Sequence, residues 1–447
     1  MTTTRSNRSR WTSLATVLAF GLALPACDVL DVNNPNNLTE ESIDAPTAAA
    51  ALVNGAVAAN WRGISTHWLG YSVGTDEIVW IGSRDAWGQL DQGFFSNPAN
   101  EFTDAAFPVL AQARWVADRA AVTLDGHVAK TPTTAMKTDQ ARAYLMAGLI
   151  YTVIGETQED FAIGDKQESA AAIGAAQMKT VLDQAITKLD KAVTVATEVN
   201  NAELLNRALA VRARAKHSRA LWDKIKPSIA AQPLVSSAGA VADANAVLGR
   251  VANSWRYQMA FSSATLSSTM ASEINSRGEQ NFDTTSVISV NRAAPKTILG
   301  VKLLDPISQQ PDARIVKFMQ EWKGGTNLGV AGDIYAPLTV TSAKHMLLII
   351  AEDELAKGNT AGFTTRINAL RAIDGLPDYT GQIPALEMLK HERRAALFVT
   401  GLRLLDMYRF GIKDPLWHAN SDAVKKPGTL LPITCIEMNS NPNIPDC

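Results

Sequence analysis

Few residue patterns in this chain could do chemistry. The run Gly70-Tyr71-Ser72-Val73-Gly74 matches G-x-S-x-G, the turn that presents a serine nucleophile above a sheet. That turn needs a buried strand before the serine and a helix after it. The residues ahead of Ser72 are mixed and polar, residues 75–80 read as extended, and no alternation of strands and helices follows. An aspartate and a late His418 stand in the right order, so a hydrolase using Ser72 is kept as the weaker alternative. His391-Glu392 opens a zinc-protease pattern, but Ala395 stands where the second histidine is required. The six histidines form no pair four residues apart, and the phosphate-cradling glycine loops and CxxC pairs are absent. An Asp- and Asn-rich run at 28–37 could hold calcium. It lacks an EF-hand register and reads as solvated chain. The expectation is a protein with no catalytic residue, no metal and no cofactor.

The bulk properties narrow the class. The chain has 447 residues, 46% hydrophobic and 19% charged, a globular balance. With 42 Lys and Arg against 44 Asp and Glu, the net charge is −2. No basic surface is written for nucleic acid, which needs cations to displace counterions from phosphate. The N-terminus reads as an address. Arg5, Arg8 and Arg10 precede an uncharged run at 11–26, too short to span a bilayer comfortably. The run ends Leu24-Pro25-Ala26-Cys27, small residues before a lone cysteine, which resembles a bacterial lipobox. Residues 1–26 therefore read as a lipoprotein signal peptide, Cys27 as the lipidation site, and 27–46 as a flexible tether rich in Asn, Asp and Pro. The other two cysteines, Cys435 and Cys447, are free to form a disulfide in an exported protein. Closing that loop would contribute about 3 kcal/mol at most.

From residue 47 the pattern is mostly helical. Apolar residues recur at helical spacing over 48–61, 104–122, 136–157, 171–198 and 201–223. Asn200 with Glu203 reads as a cap on the last of these. Small residues such as Ala147, Gly148, Ala185 and Ala213 would let backbones approach, as in tetratricopeptide-like hairpins. Residues 227–337 are rich in Ser, Asn, Gly and Pro and read as irregular, with strand-like pieces at 285–290 and 297–303 and a loop around Gly324, Gly325 and Gly329. Helices resume at 340–357, closed by Gly358-Asn359, then at 361–373, and last at 384–410 before Gly411.

The C-terminal third carries a specific motif. Glu392, Arg393, Arg394, Gly401, Arg403, Asp406, Arg409 and Gly411 are followed by Leu431-Pro432-Ile433 and Asn441-Pro442-Asn443. With the upstream pieces HMLLIIAEDELAKGN and RINALRAIDGLP, this resembles the SusD/RagB family of outer-membrane glycan-binding lipoproteins. Thr434 and Thr400 depart from the usual residues. The likeness extends to the lipobox, to the run ARAYLMAGLIYTVIG at 141–155 and to residues 75–80. It implies a mostly α, SusD-like fold and a protein anchored at the cell outer membrane. There it would bind oligosaccharide without catalysis and deliver it to a TonB-dependent, SusC-like transporter. The alternatives are the same scaffold binding peptides or another polymer, and a structural lid. Charges three to four residues apart in 392–409 suit ion pairs, so Arg393, Arg403, Asp406 and Arg409 read as scaffold.

Sugars stack their C–H faces on aromatic rings and bond through their hydroxyls to polar side chains. The chain has ten Trp, and four fall within 61–87: Trp61, Trp68, Trp80 and Trp87. Trp61 follows the first helical stripe and reads as core, as do Trp115 and Trp222. Trp80 and Trp87, with Arg84 and Asp85 between them, are the expected binding residues, and Trp322 is assigned to the opposing wall, where Trp255, Tyr257 and Tyr335 could join it. Gly82 stands where the starch-binding member of the family has a stacking aromatic, which speaks against a starch-type arc. The lipobox predicts that palmitate labelling of the expressed protein is lost in Cys27→Ser; label retained in that variant would contradict it.

Overall fold

The computed structural model describes residues 43–165, 168–226, 231–289, 298–323 and 333–447. The signal peptide, Cys27, the Asp- and Asn-rich run and the expected loop at Gly324, Gly325 and Gly329 lie outside the described residues. The chain divides into Met1–Ala48 and Ala49–Cys447. Of the first unit, the described end holds one 3-10 turn, Pro46–Ala48.

The large unit is built from a serial stack of helices: α1 (Ala49–Val73), a short α2 (Asp85–Asp91), α3 (Glu101–Lys130), α4 (Thr134–Thr157), α5 (Lys179–Glu198), α6 (Ala202–Ile225) and α7 (Ala238–Leu248). Helix α1 packs on α3, α3 on α4, α4 on α5, α5 on α6, and α6 on α7. The interfaces are lined with alanine and branched aliphatics, among them Ala143, Ala147, Ala185, Leu189, Ala192 and Ala213, all buried. Small side chains at this spacing bring helix axes close and bury both stripes. The expected helices at 136–157 and 201–223 are α4 and α6 within two residues. Helix α3 runs well past 104–122 at both ends, opened by Asn100, whose side chain accepts from the Phe102 and Thr103 amides. Asn201, rather than Asn200, caps α6 by accepting from Leu204 N at 3.0 Å. Helix α5 begins later than 171, at Lys179.

The region 227–337 is partly irregular, and it holds elements that the sequence does not announce. After β1 (Ile78–Trp80) come β2 (Arg256–Met259), α8 (Thr269–Ser272), a π turn at Glu273–Arg277, β3 (Gln280–Phe282), β4 (Val287–Ser289), β5 (Ile298–Val301) and α9 (Ala313–Trp322). With β6 (Leu338–Ser342) they form three antiparallel two-stranded ribbons, β1–β3, β2–β6 and β4–β5. The two strand-like pieces pair with each other as β4 and β5. Helices α7 and α9 are the surprises. The stretch 340–357 is not helical throughout: its start belongs to β6, and α10 (Ala343–Ala356) follows directly. Gly358, at φ +76°, ends that turn, and Asn359 caps α11 (Thr360–Ala372).

The expected helix at 384–410 is two, α12 (Ala385–Ala396) and α13 (Arg403–Phe410). Between them Val399 and Gly401 take positive φ, +55° and +74°. Gly401 lies so close to the Trp68 indole that any side chain there would collide with it. Val399 N donates to Glu77 Oε1 at 2.8 Å. Long-range contacts therefore interrupt a helix that local periodicity would continue.

The same segment carries a lattice of buried charges. Glu352 on α10 accepts from Val235 N at 2.9 Å, from His217 at 3.2 Å, from Arg393 at 3.4 Å and from Arg409 at 3.1 Å. Arg393 and Arg409 both donate to Asp406, each at 2.9 Å. Arg403 donates to both oxygens of Asp76 at 2.6 and 2.8 Å. Arg214 joins Glu156 at 2.6 Å to the carbonyls of Val340 and Thr400. The scaffold role read for Arg393, Arg403, Asp406 and Arg409 is what these contacts describe. The Leu431-Pro432-Ile433 piece reaches α4, with Leu431 N donating to Thr157 O at 3.1 Å. A disulfide joins Cys435, at the head of α15 (Cys435–Ser440), to Cys447; the short α14 (Asp422–Lys425) precedes it. Among the described residues no helix is long and apolar enough to cross a membrane.

Two predictions follow from this lattice. Arg409→Met leaves Glu352 and Asp406 buried with fewer cations, so urea denaturation should show a loss of about 3–5 kcal/mol; a change within 1 kcal/mol would contradict a structural role. The second concerns Glu77. Burial pushes its carboxyl up from 4.5 to about 8, against the opposing effects of Val399 N and Arg403. The folded chain therefore holds a proton that the unfolded chain releases, and stability falls as pH rises between those two values. Asp76 beside it behaves oppositely: burial would raise it, but Arg403 outweighs burial and holds it at about 2. Glu77→Gln should lose less stability than the wild type between pH 5 and pH 8. Equal losses would contradict a protonated Glu77.

Candidate functional site

Strand β1 presents the expected binding segment. It pairs with β3 so that Ile78 faces Phe282 and Trp80 faces Gln280. The loop beyond β1 is fixed by Glu279. Ile81 N and Gly82 N donate to its carbonyl at 3.0 and 3.1 Å, and Ser83 N and Arg84 N donate to its carboxylate at 3.1 and 3.2 Å. A Cβ on Gly82 would come within 2.8 Å of the Glu279 Cα. No aromatic could stand there, which is the physical reason that a ring is missing from this position.

Trp80 is half-buried, its six-membered ring against Gly88. The Arg84 guanidinium lies 4.5 Å above the Phe102 ring and is ion-paired with Glu101. Asp85 is exposed and opens α2. These three residues lie on one short stretch of chain, and each is at least partly exposed. Trp87 does not join them as a platform: it is 4% exposed and stacked on Phe102, centroids 3.7 Å apart and planes within 9°. Its covered face corrects the expectation that it meets a sugar. Trp322 is corrected in the same way. It is fully buried on α9, stacked on Phe318 and edge-on to Phe282, with Nε1 donating to Pro337 O at 3.1 Å. Tyr257 also belongs to the core, edge-on to Trp61. Trp222 is core as expected, whereas Trp115 is half-exposed beneath Arg119. Trp255 and Tyr335 are half-buried and reach the surface.

The neighbourhood of β1 carries unmet polarity. Trp80 Nε1, Trp87 Nε1 and both amide atoms of Gln280 are buried without a hydrogen-bond partner. The adjoining Glu273–Arg277 turn is a π-helix, a form that recurs at functional sites. Burial raises the Glu273 carboxyl, opposed by Arg277 and Arg84.

The residues that suggested catalysis fall elsewhere. Ser72 is buried in the last turn of α1, where the elbow would need a strand. Asp305, Asp312 and His391 lie within reach of one another. Their carboxylates are already held by Arg371 at 2.8 Å and Arg314 at 2.7 Å, so the cluster is neutralised by guanidinium groups.

A second concave feature was not legible in the sequence. A groove of about 500 Å³ lies among the residues ahead of β2, helix α9, the start of α10, the end of α11 and the break after α12. Its walls come from five separated segments, and of the residues named as candidate binders only Trp255 lies on them.

No protein-family model matches the sequence, and no curated protein matches it either. Solved structures do match in shape. A SusD superfamily protein from Bacteroides thetaiotaomicron aligns with a TM-score of 0.62 at 13% identity, over 89% of this chain and 98% of that one. A SusD superfamily protein from Bacteroides fragilis aligns at 0.59 and 14% identity, over 90% and 99%. Surface glycan-binding protein A from Bacteroides uniformis aligns at 0.54 and 13% identity, over 88% and 98%. This chain has the mostly α, SusD-like fold, with tetratricopeptide-like hairpins carrying a region of loops and short strands.

Proposed function

We propose that this protein is a SusD/RagB family lipoprotein that binds oligosaccharide at the outer membrane without making or breaking a bond. The observation that carries the reading is the alignment of 88% of this chain with a surface glycan-binding protein along 98% of that protein's length. The C-terminal motif and the lipobox support it independently.

In this reading Trp80, Arg84 and Asp85 form the sugar-binding surface. The half-buried indole takes the C–H face of a ring, and the guanidinium and carboxylate take hydroxyls. The loop is held by four backbone donors to one residue, so little ordering is required on binding. Cys27 anchors the chain, and the bound sugar passes to a TonB-dependent, SusC-like transporter. Co-purification of such a barrel with the tagged lipoprotein would support that partnership.

Affinity electrophoresis across a panel of neutral and acidic glycans tests the reading. The protein should be retarded by at least one glycan, and Trp80→Ala should weaken that binding about tenfold, or 1.4 kcal/mol. Retardation unchanged in Trp80→Ala would remove the site. A protein retarded by no glycan would overturn the function.

A further inference from the structure

We propose that the groove beside β2 is a second sugar site, which takes an uncharged pyranose unit of an oligosaccharide against the Trp255 ring. It rests on the glycan-binding reading and adds to it a place and a ligand class.

Trp255 is set apart from most of the tryptophans. Among the described residues, every tryptophan except Trp80 and Trp255 has an aromatic ring or a cationic side chain against its own ring. Trp255 is half-buried on the groove wall. Its backbone is held on both sides: Trp255 N donates to Ala252 O at 2.9 Å, and Trp255 O accepts from Ala343 N at 3.1 Å. The indole is therefore presented from a fixed backbone, and little ordering is required for a sugar ring to stack on it. The groove holds about 500 Å³, within the roughly 300–1,000 Å³ of small-ligand sites.

The charges on the walls cancel. Arg256 forms a two-pronged pair with Glu321 at 2.9 and 3.0 Å. Lys317 and Lys344 both donate to Asp374, at 2.8 and 2.5 Å. Arg314 is paired with Asp312 at 2.7 Å and with Glu392. These four cations meet four carboxylates, so no net charge is left to draw an ionic ligand. A charged ligand would have to displace one of the existing partners. The neutral groups are the uncommitted ones. Among the described residues, the Asn253 and Gln320 amides and the Ser254 and Thr339 hydroxyls have no hydrogen-bond partner, and all four line the groove. Amides and hydroxyls both donate and accept, as sugar hydroxyls do. Beside an unstacked indole they match a pyranose that carries no carboxylate, sulfate or amine.

The test is calorimetry on the full chain in detergent micelles, with neutral gluco-, manno-, galacto- and xylo-oligosaccharides beside oligogalacturonate as the acidic counterpart. Trp80→Ala serves as the background, so that the groove is read alone. At least one neutral sugar should still bind that variant. Adding Trp255→Ala should weaken this binding about fivefold or more, the worth of one stacked ring. Adding Gln320→Ala should weaken it about threefold, the worth of one hydrogen bond. Trp255→Phe keeps a ring and should retain most of the affinity, which separates stacking from folding. Binding in the Trp80→Ala background that ignores either alanine substitution overturns the proposal. So does a loss in Trp255→Phe equal to that in Trp255→Ala, or a preference for oligogalacturonate over every neutral sugar. Neutral sugars bound by the wild type and not by Trp80→Ala overturn this inference and leave the general reading standing. Binding of no glycan by the wild type overturns both.

Discussion

The fold depends on buried charges finding their partners. Asp76, Glu352, Glu392, Arg393, Arg403, Asp406 and Arg409 are all buried. An unpaired charge in that setting costs several kcal/mol, so each must be met, and the meeting sets distances between elements far apart in sequence. Glu352 on α10 receives Arg393 and Arg409; those two share Asp406; Arg403, three residues before Asp406, crosses to Asp76 ahead of β1. One short C-terminal stretch thereby fixes a strand near the other end of the chain. Glu77, next to Asp76, accepts from Val399 and holds open the break between α12 and α13. The position of β1, and so of the Trp80 loop, is a consequence of these pairings.

That dependence explains what could be read from the sequence. Helices whose stability comes from a local apolar stripe and small-residue contacts, such as α4 and α6, are written in their own residues. The charged motif at 392–409 is also legible, because ion-pair spacing and its resemblance point the same way. The break at 397–402 is not. Leu397, Leu404 and Leu405 continue the helical period, while Trp68, Glu77 and Arg214, all far upstream, meet the chain inside the break.

The candidate site was legible in part for the same reason. The position of Trp80, Arg84 and Asp85 on one stretch follows from adjacency in sequence. The fate of Trp87 turns on Phe102, which lies across the following loop on α3, and that of Trp322 on an aromatic cluster with Phe282, Phe318 and Phe398. Neither partner is identifiable from spacing. Gly82 was visible as a departure, and its cause, the backbone of Glu279, was not. The groove is the extreme case, since its walls come from five separated segments of chain.

Ser72 is sealed inside a helix, and the glycan-binding reading proposed for the loop around Trp80 requires a sugar that is held and not cut. The most direct measurement is equilibrium dialysis of the purified protein against a mixture of fluorescently labelled oligosaccharides, followed by mass analysis of the retained fraction. Binding without catalysis requires that a subset of the sugars be enriched with the protein and that their masses be unchanged after prolonged incubation. Even partition of every sugar across the membrane, or the appearance of shortened products, would contradict it.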